Sequence, residues 1–251
     1  MINVVYEDNQ ILVVYKPAGI ATQTARVGQQ DMVSEIKNYL VKNNKSNQNA
    51  LSNSKPNKGE TNKNESSEPY LGLIHRLDQP VCGLLVFAKS KPAAASLSHQ
   101  LDTGELQKYY YAIVMGKPDK ENDVLVDYLY KDGRSNMSMV VREDFPEAKK
   151  AVLEYRKMKT LMALEDHIEA TLLEIKLMTG RHHQIRVQLS NQGWPILGDS
   201  KYGNENSKDF SRQALKGLAL CAHKLRFKHP TTGKEMTFEK DPEDEIFEAF
   251  L

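Results

Sequence analysis

Apolar positions along this chain fall into short runs separated by turn-forming residues. NQILVVYKPAGIATQ opens on a continuous apolar run, Ile11 to Tyr15, and closes on Pro17 and Gly19, the pattern of a buried strand entering a turn. From Asp31, the spacing of Val33, Ile36, Tyr39 and Leu40 predicts one face of a helix that Asp31 can cap. GLLVFAK, after Asp78, predicts a second buried strand. SKPAAASLSHQLDTG predicts a helix with Ser90 as N-cap, Pro92 in the first turn and Gly104 past the end. QKYYYAIVMG, DVLVDYLY, AVLEYRKMKT and HIEATLLEIKLMTG are rich in β-branched and aromatic residues and predict successive strands. In GRHHQIRVQLSNQGWP the alternation of Ile185, Val187 and Leu189 competes with the Ile185/Leu189 spacing and the stop at Gly193, which favour a short helix. LALCAHKLRFKHPTTGKEMTFEK predicts a hairpin around Pro230 and Gly233, and DPEDEIFEAFL a last helix capped by Asp241 with Pro242 at its first position.

One stretch breaks the pattern. Residues 41–69 are dominated by Asn, Lys, Ser and Glu, too few apolar side chains to offset the entropy of ordering them, and are expected to form a mobile loop. With no internal repeat and no second linker, the chain reads as one domain over residues 1–251, carrying a polar insertion at about 42–69.

Composition narrows the function classes only a little. Lys and Arg number 34 against 33 Asp and Glu, so any attraction to nucleic acid must come from a local basic patch. The two cysteines, Cys82 and Cys221, lack metal-site spacing and suggest neither a disulfide framework nor a zinc site. No apolar run approaches the roughly 18 residues of a membrane span, and the N-terminus lacks a signal-peptide pattern, so a cytoplasmic protein is expected.

The candidate chemistry centres on HRLDQPVCGLLVFAKS, where Asp78 stands at the mouth of an apolar strand. An ionised carboxylate there needs a compensating cation, and about 4 Å of separation gives on the order of 4 kcal/mol at an effective dielectric of 20. Arg76, Arg181 and Arg186 are candidates, and spacing does not choose among them. Two readings stay open: a turn cap accepting backbone N–H bonds before Pro80, or a nucleophile held ionised by an arginine that lowers its pKa.

HRLDQPVCGLLVFAKS resembles the central motif of the RluA-type pseudouridine synthases. NQILVVYKPAGIATQ is similar to the first motif of that family, QKYYYAIVMG to its tyrosine-bearing strand, and MTGRHHQIRVQLSNQGWPILGDSKYG to its C-terminal motif, all in the family's order. The resemblance implies an α+β fold: a single catalytic domain with a mixed, mainly antiparallel sheet flanked by helices and loops, and a central RNA-binding cleft. It implies isomerisation of specific uridines in RNA, ribosomal or transfer, with no metal and no organic cofactor. By the same resemblance Asp78 is the catalytic aspartate, Arg186 its partner, Tyr110 the platform for a flipped-out base, and Arg76 the residue that enters the RNA stack. Tyr109 and Tyr111, on the opposite face from Tyr110, are expected to pack into the core, Cys82 to be a packed side chain, and His75 to orient its turn. His182 and His183 are read as helix neighbours pointing apart. The family's frequent N-terminal S4-type module is not expected here. RNA is the expected partner, with no membrane, no obligatory protein partner and a monomeric state.

Two rivals make different demands. A non-catalytic RNA-binding protein would not need a carboxylate beside a polyanion. A hydrolase of glycosidic bonds would need two acids flanking the bond; no second acid is expected in the matched motifs, and another carboxylate about 5–9 Å from Asp78 would reopen that reading.

Overall fold

The apolar runs assemble into one sheet. A computed structural model describes residues 2–24, 28–51, 68–163, 168–204 and 217–251. In chain order the elements are β1 (Asn3–Glu7), β2 (Ile11–Lys16), α1 (Met32–Leu51), β3 (Gly72–Leu73), β4 (Cys82–Ala88), α2 (Lys91–Asp102), β5 (Gln107–Met115) and β6 (Asn122–Asp132). They continue with β7 (Met137–Val141), β8 (Lys149–Ala163), β9 (Ile168–Leu177), α3 (Gln184–Asn191), β10 (Leu220–Lys228), β11 (Glu235–Glu239) and α4 (Glu245–Glu248).

The strands run in the order β1-β2-β4-β10-β5-β9-β8-β6-β7, with β11 added beside β10 and β3 beside β4. Among the described residues every named pairing is antiparallel except β4 with β10, which makes the sheet mixed and mainly antiparallel as expected. The continuous apolar runs are strands with neighbours on both sides: every residue of β2 and of β4 is buried. Cys82 and Cys221 face each other across the parallel pairing, both free and buried. That pairing demands glycine at Gly83, whose φ is +122° and where a Cβ would lie 2.3 Å from the Ala222 carbonyl oxygen.

Local signals fixed the helix starts well. Ser90 accepts the Ala93 N–H at 3.3 Å, and Asp31 accepts the Ser34 N–H at 2.8 Å. Three expectations need correction. The helix begun at Met32 continues through Leu51, inside the stretch read as loop; side-chain composition governs burial, whereas an existing helix adds a hydrogen bond for each residue it fixes. The rest of that stretch, 52–67, lies outside the described residues. The last helix is capped by Asp244, which accepts the Ile246 N–H at 3.2 Å, because that start buries Phe247 and Phe250. Of the tyrosines expected in the core, Tyr111 is buried there and stacks on His223 at 3.7 Å, but Tyr109 is only half-buried, and Tyr110 is the most buried of the three because β5 is paired on both sides and packs that face into the core. Strands β1 and β7, short and at the sheet's margins, went unread.

Candidate active site

Asp78 sits in the loop between β3 and β4, and the turn after β2 holds that loop in place. The Thr22 hydroxyl donates to the Leu77 carbonyl at 2.8 Å and accepts the Leu77 N–H at 3.1 Å. Gly19 N–H donates to the Gln79 carbonyl at 2.9 Å, and Gln79 Nε2 returns a bond to the Gly19 carbonyl. Lys16, with no exposed surface, donates from Nζ to the carbonyls of Pro17, Ile20 and Gln79 at 3.0, 2.6 and 3.1 Å. A single ammonium thus ties both loops together and puts a positive charge behind Asp78. Burial lowers Lys16 to about 8, with the Asp78 charge opposing that fall.

The turn-cap reading of Asp78 does not hold. Its backbone carbonyl accepts the Val81 N–H at 3.1 Å, but among the described residues no hydrogen bond reaches its carboxylate. Asp78 Oδ2 instead lies 3.8 Å from Arg186 Nη1 and 3.7 Å from His183 Nε2, with 33% of the side chain exposed. Of the three candidate arginines, Arg186 is the one that comes within 4 Å of this carboxylate. Arg181 donates to the Lys150 carbonyl at 2.9 Å, and the exposed Arg76 reaches the Gln23 carbonyl at 3.4 Å.

Arg186 is shared, which the sequence reading missed. Its Nε and Nη2 form a bidentate pair with Asp199 at 2.8 and 2.7 Å, and both residues are buried. Asp199 Oδ1 also accepts the backbone N–H groups of Lys201 and Tyr202 at 2.9 and 3.0 Å. Burial would raise Asp199, yet the Arg186 bonds and these N–H groups outweigh it and hold the carboxyl below its usual range. Glycine at 198 is required for this turn: its φ is +81°, and a Cβ there would meet the Gly217 carbonyl at 2.0 Å. Asp199 belongs to GDSKYG, at the end of the C-terminal motif, so a second acid was present in the matched residues after all. Buried, ionised and bonded four ways, it has neither a proton for a leaving group nor a free oxygen to attack or to activate water, which argues against the hydrolase reading.

The same geometry corrects the expected electrostatics of Asp78. Its pKa is raised: burial is the largest cause, Asp199 adds to it, and Arg186 and Lys16 only partly oppose it. The guanidinium spends its two best donors on Asp199 and offers Asp78 only a longer contact.

His182 and His183 do not point apart. His183 precedes α3 with a left-handed backbone, φ 54°, and its ring stacks on that of His182 with centroids 3.7 Å apart. Burial, with Arg186 adding to it, lowers His183 to about 3, so it is neutral at pH 7. Tyr202 OH accepts the Ser138 N–H at 2.8 Å and shares a 2.8 Å hydrogen bond with His183 Nδ1, while His183 Nε2 faces Asp78. The Tyr202 ring also lies under the Arg186 guanidinium, 5.1 Å away.

Tyr110 completes the set. Its ring is buried, and burial followed by the Asp78 charge raises its hydroxyl well above the usual phenol, so it stays protonated. Among the described residues that hydroxyl has no hydrogen-bond partner. Asp78, Arg186 and Tyr110 are thus brought together, while Arg76 stands at the solvent edge of the same loop. His75 is buried with Nε2 accepting the Val86 N–H at 3.4 Å, and its Nδ1 has no hydrogen-bond partner among the described residues. A depression of about 270 Å³ lined by Tyr109, Tyr155, Glu174 and Lys176 lies on the other face of the sheet, away from this chemistry.

Residues 10–191, which carry Asp78, Tyr110 and Arg186, match the family described as RNA pseudouridylate synthase. The chain belongs to this family. The RNA pseudouridine synthase YhcT of Bacillus subtilis, described as uncharacterised, is 33% identical over 238 residues, covering 95% of this chain and 68% of that protein. Ribosomal large subunit pseudouridine synthase D of Vibrio cholerae is 32% identical over 263 residues, covering 100% of this chain and 70% of its own length. Among solved structures, human RNA pseudouridylate synthase domain containing 1 superposes with a TM-score of 0.70 at 20% identity, over 96% of this chain and 84% of that one, which shows a shared fold. The chain is an RNA pseudouridine synthase of RluA type, an isomerase of uridine in RNA. Among the described residues no helix is long and apolar enough to cross a membrane.

Proposed function

We propose that Asp78 is the carboxylate that acts at the ribose of a flipped-out uridine, with Tyr110 as the platform for the base, Arg186 as the partner of the acid, and Arg76 filling the RNA stack. The reading rests above all on the state of Asp78: partly exposed, free of hydrogen bonds among the described residues, and 3.8 Å from the spare nitrogen of an arginine anchored elsewhere. In the reaction N1–C1′ breaks, the uracil turns, and C5 joins C1′; the C5 hydrogen leaves as a proton and N1 takes one up. An anionic carboxylate beside the ribose serves either attack at C1′ or removal of a C2′ proton.

The RNA enters along a cleft between the loop that holds Asp78 and the segment before α3, in the cytoplasm and with the protein as a monomer. Ribosomal RNA is the favoured substrate and transfer RNA the alternative, because relatives of this chain bear the name ribosomal large subunit pseudouridine synthase. Ribosomal and transfer RNA transcribed with 5-tritiated uridine are the test. Tritium release from ribosomal transcripts supports this reading, release from transfer RNA alone reverses the substrate preference, and release from neither, with nuclease-free RNA intact, contradicts it.

A further inference from the structure

Lys108 lies two residues before Tyr110 on β5, so the two side chains leave the strand on the same face, about 6.8 Å apart along it. Its residue is only 7% exposed, yet among the described residues the ammonium has neither a carboxylate nor a hydrogen-bond acceptor. Lys16, the other deeply buried lysine described above, is satisfied by three carbonyls. Lys108 Nζ lies beside Gly180, where a Cβ would be 3.5 Å away, and Gly180 is exposed, so the amine ends under the loop that leads into α3. The neutral, buried His75, one residue before Arg76 and three before Asp78, is close enough for the Lys108 charge to add to the lowering that burial causes. Burial alone lowers Lys108, to about 8, with no anion opposing the fall.

An ammonium largely withdrawn from water and without a carboxylate beside it is costly to keep charged, and an anion arriving from outside, where Nζ still meets solvent, would offset that cost. RNA carries its negative charge on its phosphates, and a compact, strongly hydrated ammonium suits a phosphate oxygen. We propose that Lys108 is a binding site for a backbone phosphodiester of the substrate RNA, at or next to the nucleotide whose base meets Tyr110. Gly180 then keeps the approach to the amine free of a side chain. This inference rests on the proposed placement of the flipped nucleotide at Asp78 and Tyr110.

The test measures binding of a short labelled oligouridylate to the full chain across a salt series, for the native protein, Lys108→Met and Lys108→Arg. Loss of one phosphate contact lowers the slope of log affinity against log salt by about 0.7 on a single strand. Lys108→Met should show that reduction and Lys108→Arg should restore the slope, with thermal melting of each variant reporting the fold; if Met does not fold, Lys108→Gln takes its place. A neutral variant with the native slope overturns the proposal. Tritium release from uridine-labelled RNA by the native protein is read in parallel. Release with an unchanged slope sinks the phosphate site alone, whereas a reduced slope without release sinks the catalytic reading and leaves the phosphate site standing.

Discussion

Replacing Asp199 by Asn probes the feature of the site least visible in the sequence. The change keeps the shape but removes the charge from a pair whose nearest atoms are 2.7 Å apart, an attraction of ~6 kcal/mol at an effective dielectric of 20, against ~4 kcal/mol for Arg186 with Asp78 at 3.8 Å. Removing one partner of a buried pair costs about 3–5 kcal/mol because the other charge is stranded. Here Asp78 is within reach of the stranded guanidinium and Asn keeps an acceptor, so a loss of about 2–3 kcal/mol is expected, or about 5–10 °C in melting temperature at this chain length. The same change alters the pH profile. Asp199 is one of the groups that raise Asp78, and its loss also turns Arg186 towards Asp78, so both effects lower the pKa of Asp78. If label release requires ionised Asp78, its acid limb moves to lower pH in Asp199→Asn, while the maximal rate drops because Arg186 is no longer held. Thermal melting and label release from pH 4 to 8 would check this; a native melting temperature with an unmoved acid limb would refute the claim that Asp199 holds Arg186 in place.

Tyr110→Phe removes only a hydroxyl that bonds to nothing else among the described residues, so the melting temperature should hold; if the hydroxyl serves a proton step, the rate of label release falls by about 10²–10⁴, and a native rate would leave the ring as a stacking platform alone. Gly83→Ala drives a methyl into the Ala222 backbone at 2.3 Å in a left-handed conformation, so a loss of at least about 1–3 kcal/mol is expected in urea unfolding; native stability would contradict the close parallel approach of β4 and β10.

The parts of this molecule legible in its sequence are those decided locally. Ser90 with Pro92, Asp31 with its apolar face, and the unbroken runs of β2 and β4 each specify their element within a few residues. The arrangement around Asp78 depends instead on contacts between residues far apart in the chain. Lys16 is an ordinary lysine after a strand until the fold brings the Gln79 carbonyl to it, and Asp199 is an unremarkable turn acid until it meets Arg186. The pKa of Asp78 was misjudged for the same reason: an arginine was expected to lower it, but this arginine is committed to another acid and burial prevails. The α1 extension past the apolar face shows the complementary limit, since composition speaks to burial and not to backbone form.

The central claim, that Asp78 performs the chemistry, meets its most direct test in tritium release from 5-tritiated uridine RNA by Asp78→Asn. The variant should remain folded. A carboxyl raised by burial contributes stability that is present below its unfolded pKa and lost as pH rises through its folded one, so at neutral pH the ionised form is held at a cost that Asn removes. The account predicts a melting temperature no lower than native and release reduced to background; release at the native rate from the folded variant would contradict it.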